Sequence, residues 1–263
     1  MDLLSDLRDR LLPFGLNHLG VASAEAYDRS AKAALRTQEL MPGTRSILVV
    51  GSGGPDLWEA LMADLRRDPT GLTEQAHPLD AFVERGIAAT GPLLAGVTHR
   101  WFLTTATAPV HLDMRTLAVL AGLGAKSRLG LVLDRRFGPW LGLRAACFLA
   151  SELDPSPIAD ELCTGCGAPC MMRCPGNAFV DGQWNVGRCA AFHAVSETCH
   201  GICHARLACP VGVAEQYPEL ERRYHDDRKN GRAMLRAHLG ISVAQDRHAG
   251  DGPHWDEWAG GGG

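Results

Sequence analysis

Eight of the nine cysteines in this 263-residue chain fall between Cys163 and Cys209. They read CTGCGAPCMMRCP from Cys163 to Pro175, then Cys189 alone, then CHGICHARLACP from Cys199 to Pro210. Eight thiolates make two sets of four, the number of protein ligands taken by a cubane iron–sulfur cluster or by a structural zinc ion. His193, His200 and His204 stand close by in the sequence, so zinc remains a competing metal for these donors. Disulfides fit less well. The cysteines crowd into one segment of a chain with no visible secretory signal, and in a reducing compartment such a pattern means metal or redox chemistry.

The run C-x2-C-x3-C-x3-C-P, with a second run that also closes on Cys-Pro, resembles the two-cluster bacterial ferredoxins, where each run lends its last cysteine to the other cluster. Cys174-Pro175-Gly176-Asn177-Ala178-Phe179 resembles the ferredoxin turn that leads into a short strand. The resemblance implies two [4Fe–4S] clusters. It assigns Cys163, Cys166, Cys170 and Cys209 to one, and Cys174, Cys189, Cys199 and Cys203 to the other. The spacing departs from that family by one extra residue before Cys170, one before Cys203 and two before Cys209, which touches the pairing of ligands rather than their number.

These donors need elements to hold them. Leucines at 3, 4, 7, 11 and 12 have helical spacing, ended by Pro13 and Gly15. Residues 16–23 alternate as a strand, and alanine-rich 24–40 reads as a helix. The run SILVV at 46–50 is a buried strand. It meets Gly51-Ser52-Gly53-Gly54-Pro55 and a helix with Leu57, Trp58, Leu61 and Leu65 on one side. A dinucleotide fingerprint is rejected there, because Asp56 stands where the third glycine is needed and no acidic residue closes a second strand at the right distance. A helix over 78–89 groups Leu79, Phe82, Val83 and Ile87. A strand at 101–106, a helix at 113–121 stopped by Gly122 and Gly124, and strand-like runs at 129–133 and 141–149 follow. Cys147 lies in the last of these and is expected to be buried and inert.

Strands alternating with helices predict an α/β (α+β) sheet flanked by helices over residues 1–154. Pro155-Ser156-Pro157 opens a cysteine domain over 155–215, and 216–263 is a charged helical segment with a tail carrying His248, His254, Trp255 and Trp258. A formal charge of −4 argues against a nucleic-acid surface. The longest apolar run is well short of the ~20 residues a membrane span requires, so no membrane partner is expected and the location is read as cytoplasmic.

A second resemblance covers most of the chain. TAPV at 107–110, AGLGAKSRLGLVL at 121–133, FGPWLGL at 137–143 and the cysteine series resemble the epoxyqueuosine reductases and the related reductive dehalogenases. LLPFGLN at 11–17, PDLWEALMADL at 55–65, HPLDAFV at 77–83 and RFGPWLGLR at 136–144 are similar to the cobalamin-processing family of the methylmalonic aciduria type C protein, which strips the upper ligand from cobalt. Together they imply a nitroreductase-like domain that binds cobalamin, followed by a dicluster ferredoxin-like domain. The resemblance puts Phe137, Gly138, Trp140 and Arg144 near the corrin, with Gly122, Gly124 and Gly130 allowing close backbone approach. His111 is the candidate lower axial ligand, with a capping or surface role as its rival.

One departure divides the two families. Epoxyqueuosine reductases carry a proton-donating aspartate immediately before T-A-P-V, and this chain has Ala106. Alanine transfers no proton, and Asp113 lies too far along to replace it. The expected activity is therefore reduction of the corrinoid cobalt with loss of its upper ligand, fed one electron at a time by an external ferredoxin or flavodoxin type donor through the two clusters. The alternatives are an epoxyqueuosine-reductase-like reaction and a plain dicluster electron carrier.

Overall fold

The computed structural model describes residues 2–105, 108–227 and 230–249. Its strands are β1 (His18–Ser23), β2 (Ser46–Gly53), β3 (His99–Leu103), β4 (Ala125–Lys126), β5 (Val132–Leu133), β6 (Leu141–Leu149), β7 (Phe179–Val180) and β8 (Gln183–Trp184). Four of them form one sheet in the order β1-β2-β6-β3. Every neighbour pair in it is antiparallel. Successive side chains of a strand point to opposite faces, and a strand covered on both sides is apolar throughout. That is why SILVV runs without a polar interruption: all eight residues of β2 are buried.

On one face Leu48, Val50, Ala145, Cys147 and Leu149 join a core with the helices Leu3–Leu11, Asp56–Arg67 and Pro78–Ala88. These helices bury the apolar sets expected from their spacing, among them Leu57, Trp58, Leu61, Leu65, Phe82 and Ile87. On the other face Ile47, Val49, Ala146 and Phe148 pack with Leu117 and Ala118 of the helix Met114–Leu120. Asp113 starts that helix by accepting hydrogen bonds from the Thr116 amide and hydroxyl at 3.1 and 2.7 Å.

The expected long helix over 24–40 is broken into Ala24–Asp28, a 3-10 turn at Ala33–Leu35 and Thr37–Leu40. Polar side chains compete for the backbone. The Ser30 hydroxyl donates to the Tyr27 carbonyl, and the Asp28 carboxylate draws in both the amide and the hydroxyl of Thr37 at 2.8 and 2.6 Å. The expected strand at 129–133 is instead the tight hairpin β4–β5, turning at Gly130 with φ 71°. The expected strand at 101–106 is β3, shifted toward the N-terminus; Ala106 and Thr107 lie outside the described residues.

The cysteine segment is built from short pieces: the helices Pro169–Arg173 and His204–Leu207, the hairpin β7–β8, and the helix Val186–Val195, which buries none of its residues. After it, the helices Glu219–Asp226 and Gly231–His238 return to the first half. The charged composition of 219–232 predicts a solvated face, yet Glu221 is 2% exposed, Tyr224 stacks on Trp58 at 5.2 Å, and Leu235 is fully buried in the first core. Arg232 and Arg236 close the turn on Asp246. No helix among the described residues is long and apolar enough to cross a membrane. His254, Trp255 and Trp258 lie outside the described residues.

Candidate metal centre

The fold gathers the eight cysteines into two groups. Cys163, Cys166, Cys170 and Cys209 line one cavity together with Leu129, Leu133, Leu162, Pro210 and Val211. Burial pushes the Cys170 thiol up, and the nearby Cys163 and Cys166 add to the rise. Cys209 is pushed up in the same way by burial and by Cys170, Cys163 and Cys166. In the second group burial raises Cys199, with further contributions from Cys203, Cys174 and Cys189. Burial also raises Cys203, with Asp226 and Cys189 adding and Arg206 opposing. Cys170, Cys209, Cys199 and Cys203 are thus each raised only by cysteines of their own group among the thiols. All eight are free thiols. Among the described residues no three His, Cys, Asp or Glu side chains gather at the spacing of a single ion.

Local structure explains the placement. Cys163 and Cys166 sit across a turn in which the Cys166 amide donates to the Cys163 carbonyl at 3.3 Å. The Ala178 amide donates to the Cys174 sulfur at 3.4 Å, so the Cys-Pro-Gly-Asn turn holds its own cysteine. Cys203 caps the helix His204–Leu207, and the Cys209 amide donates to the Arg206 carbonyl at 3.2 Å. One short helix therefore joins a member of each group. The remaining wall of the first cavity comes from the sheet half: Ser127, Arg128, Leu129 and Leu133 belong to the β4–β5 hairpin and its turn.

Phe137 and Trp140 are buried where the two halves meet. Phe137 lies edge-on to His18 at 5.5 Å, and Trp140 edge-on to Tyr217 at 5.3 Å. Gly138, at φ 59°, lies so close to the chain that follows Cys209 that an added Cβ would stand 2.1 Å from the Val211 carbonyl oxygen. The Arg144 guanidinium donates to the Ser52 hydroxyl at 2.9 Å. Gly122 and Gly124 are apart from this group and are closed in by Pro157 and by Leu133. Gly130 faces the Trp184 ring, and His111 is exposed before the helix Met114–Leu120. Cys147 is fully buried, and burial pushes its thiol up to about 12.

Three residues that sequence spacing does not single out complete the seam. Arg206 donates twice to the Pro139 carbonyl, at 3.1 and 2.8 Å, while its guanidinium stands 4.4 Å over Trp140 and 4.8 Å over Tyr217. Glu221 and His225 lie 3.8 Å apart, and one oxygen of Glu221, the His225 Nε2 and the Trp140 indole nitrogen are buried with no hydrogen-bond partner. Burial pushes the Glu221 carboxyl up to about 8, against the pull of Arg144 and Arg206. The same burial, with both arginines, pushes His225 down to about 3. The one sequence signal for Glu221 is its helical phase, one residue after Leu220 and one turn before Tyr224 and His225.

Fold and site together define an α/β sheet protein with two four-thiol groups, the first of which borders the β4–β5 hairpin. No family model matches the chain. Among curated proteins it is similar to the epoxyqueuosine reductase of Staphylococcus aureus (strain NCTC 8325 / PS 47), 24% identical over an alignment 225 residues long that covers 72% of this chain and 56% of that protein. The chain thus spans little more than half the length of that curated relative. Its fold is similar to the structure of epoxyqueuosine reductase from Streptococcus thermophilus, with TM-score 0.59, 16% identity and 95% of this chain against 83% of that one. It is also similar to a C. elegans B12-trafficking protein, CblC, with TM-score 0.56, 14% identity, and 89% and 94% of the two chains covered. A reductive dehalogenase described by B12-dependent dehalogenation matches at TM-score 0.51 and 16% identity, over 88% of this chain and 35% of that chain. At these identities the likeness is one of fold, and the mixed α/β class expected from the sequence is the class observed.

Proposed function

We propose that this protein is a corrinoid-dependent iron–sulfur reductase in the manner of the epoxyqueuosine reductases. The observation that carries the reading is the pair of four-thiol groups, the first of which shares its cavity wall with the sheet half. A metal suits these donors: four cysteines line one apolar cavity, and a bound metal would supply the positive charge that lets them stand together as thiolates, while the resemblance to the two-cluster ferredoxins favours iron. The four-thiol groups would hold two clusters, which pass one electron at a time between a small external donor and the sheet half. The corrin reading draws on the B12 proteins that share the fold and on the curated relative. In this chain it draws on one of the buried donors without a partner, the Trp140 indole nitrogen, from which a corrin side-chain amide would accept, and on the Arg144 guanidinium held by Ser52. Phe137, Gly138, Gly122 and Gly124 meet the chain itself, so no step is assigned to them.

Ala106 favours a second, narrower reading: the electrons end on cobalt and release its upper ligand, a reaction without a carbon protonation step. When bound, cobalamin would supply a metal that loses axial ligands as it gains electrons. The test is direct. Anaerobically reconstituted protein should be brown with about eight irons, as two four-iron clusters require. Added cyano- or hydroxocobalamin should change its corrin absorption and be reduced when dithionite is supplied. Iron without any corrin change leaves a plain electron carrier, and zinc uptake in place of iron removes the reductase reading. Activity of Ala106→Asp on the epoxide-bearing nucleoside, with none in the parent, would show a site for epoxide reduction that is intact but for its proton donor.

A further inference from the structure

Arg206 is tied by its backbone to both thiol groups and by its side chain to the seam beside them. It stands three residues after Cys203 and three before Cys209, members of different groups. Its carbonyl accepts from the Cys209 amide, and the Leu207 amide next to it donates to the Cys203 carbonyl at 3.0 Å. Its side chain crosses to the sheet half, donating twice to the Pro139 carbonyl and lying over the faces of Trp140 and Tyr217. No carboxylate pairs with its guanidinium among the ion pairs of the described residues. A guanidinium held by a carbonyl and two aromatic faces keeps its full charge in a partly desolvated seam, where electrostatic effects reach further than in water.

We propose that Arg206 is a positioning residue that pins the short helix between the two cysteine groups to the Pro139–Trp140 wall and, by its charge, raises the reduction potentials of the clusters those groups hold. The proposal rests on the iron–sulfur part of the functional reading. Reduction adds one electron, and hence one negative charge, to a cluster without breaking a bond, so a fixed cation nearby favours the reduced form.

The experiment is an electron paramagnetic resonance titration of the full chain, reconstituted anaerobically and reduced stepwise by dithionite through mediators. Wild type, Arg206→Lys, Arg206→Gln and Arg135→Gln are compared; Arg135 pairs with Asp160 at the surface and controls for loss of one positive charge. Arg206→Gln should lower the midpoint potentials by about 59 mV, a tenfold loss in a one-electron equilibrium. Arg206→Lys should stay near wild type in potential while the tryptophan fluorescence, to which Trp140 contributes, changes, because the charge survives and the planar stacking does not. Arg135→Gln should leave both measurements alone. Equal potentials in wild type and Arg206→Gln overturn the proposal, and so does a drop in Arg206→Lys as large as in Arg206→Gln. Should Arg206→Gln not take up iron, Arg206→Lys decides alone: a potential held near wild type supports the role of charge, a lowered one refutes it. Failure of the wild type to take up iron would instead remove the reductase reading, and that is seen before any potential is measured.

Discussion

A buried carboxyl with one unpartnered oxygen is held in its neutral form by the cost of desolvating its charge. Glu221 is such a group, and because its folded value of about 8 lies above the ordinary 4.5, the folded state binds its proton more tightly than the unfolded chain does. Its contribution to stability is complete at acid pH and is lost as pH rises through about 8. Denaturant unfolding should therefore show the wild type losing roughly 2–3 kcal/mol between pH 6 and pH 8 from this group alone. Glu221→Gln, neutral throughout, should lack that decline, and equal declines in both proteins would exclude Glu221 as its source. His225, pushed down to about 3, stays uncharged in the fold, while the unfolded chain binds its proton below about 6.5; its contribution therefore grows as pH rises toward 7 and offsets part of the decline equally in both proteins. The cysteines were legible in the sequence because metal ligands betray themselves by type and local spacing. Glu221 and Arg206 were not, since what gives them a role is contact with Trp140, Tyr217 and Arg144, far away along the chain.

At the scale of elements, legibility follows burial pattern. β6 matches its expected span residue for residue, because a nine-residue strand with Arg144 as its one charged side chain, set between two helical layers, leaves no competing arrangement. The stretch 24–40 has helical composition but also Ser30, Asp28 and Thr37, whose side chains offer the backbone other partners. The meeting of the strand half with the cysteine segment is decided at Gly138, where a positive φ and the Val211 carbonyl leave no room for a side chain. Gly138→Ala should cost about 1–3 kcal/mol in thermal or denaturant unfolding and lower iron retention. Gly43, at φ 84° with open space around it, gives the comparison: Gly43→Ala bears the backbone strain alone and should keep its iron. Matching losses in the two variants would mean that close approach to Val211 contributes nothing.

For the whole molecule, the last described helix and the residues after it act as a tie. Asp246, 4% exposed, accepts from Arg232 and Arg236, and Arg232 also donates to the carbonyls of Leu72, Gln75 and Ala76. Burial alone would raise the Asp246 carboxyl; hydrogen bonds from Arg232, the His248 amide and Arg236 outweigh it and push it down to about 2. The stability it contributes is present above pH 4 and falls away toward pH 2. Asp246→Ala leaves two arginines in the seam without their partner and should cost about 3–5 kcal/mol at neutral pH, read from the unfolding midpoint. A loss below 1 kcal/mol would show the tie to be incidental.

The return of Leu235 and Tyr224 to the core around Trp58 also sets an order of events during synthesis. The sheet and its first helices leave the ribosome early, but the face they bury stays open until the residues near 235 have followed. The eight thiols between Cys163 and Cys209 emerge inside that interval. On the proposed iron–sulfur reading, iron would meet these thiols while the helices Glu219–Asp226 and Gly231–His238 have still to dock on the first core, so loading during translation should be faster than loading of the finished fold.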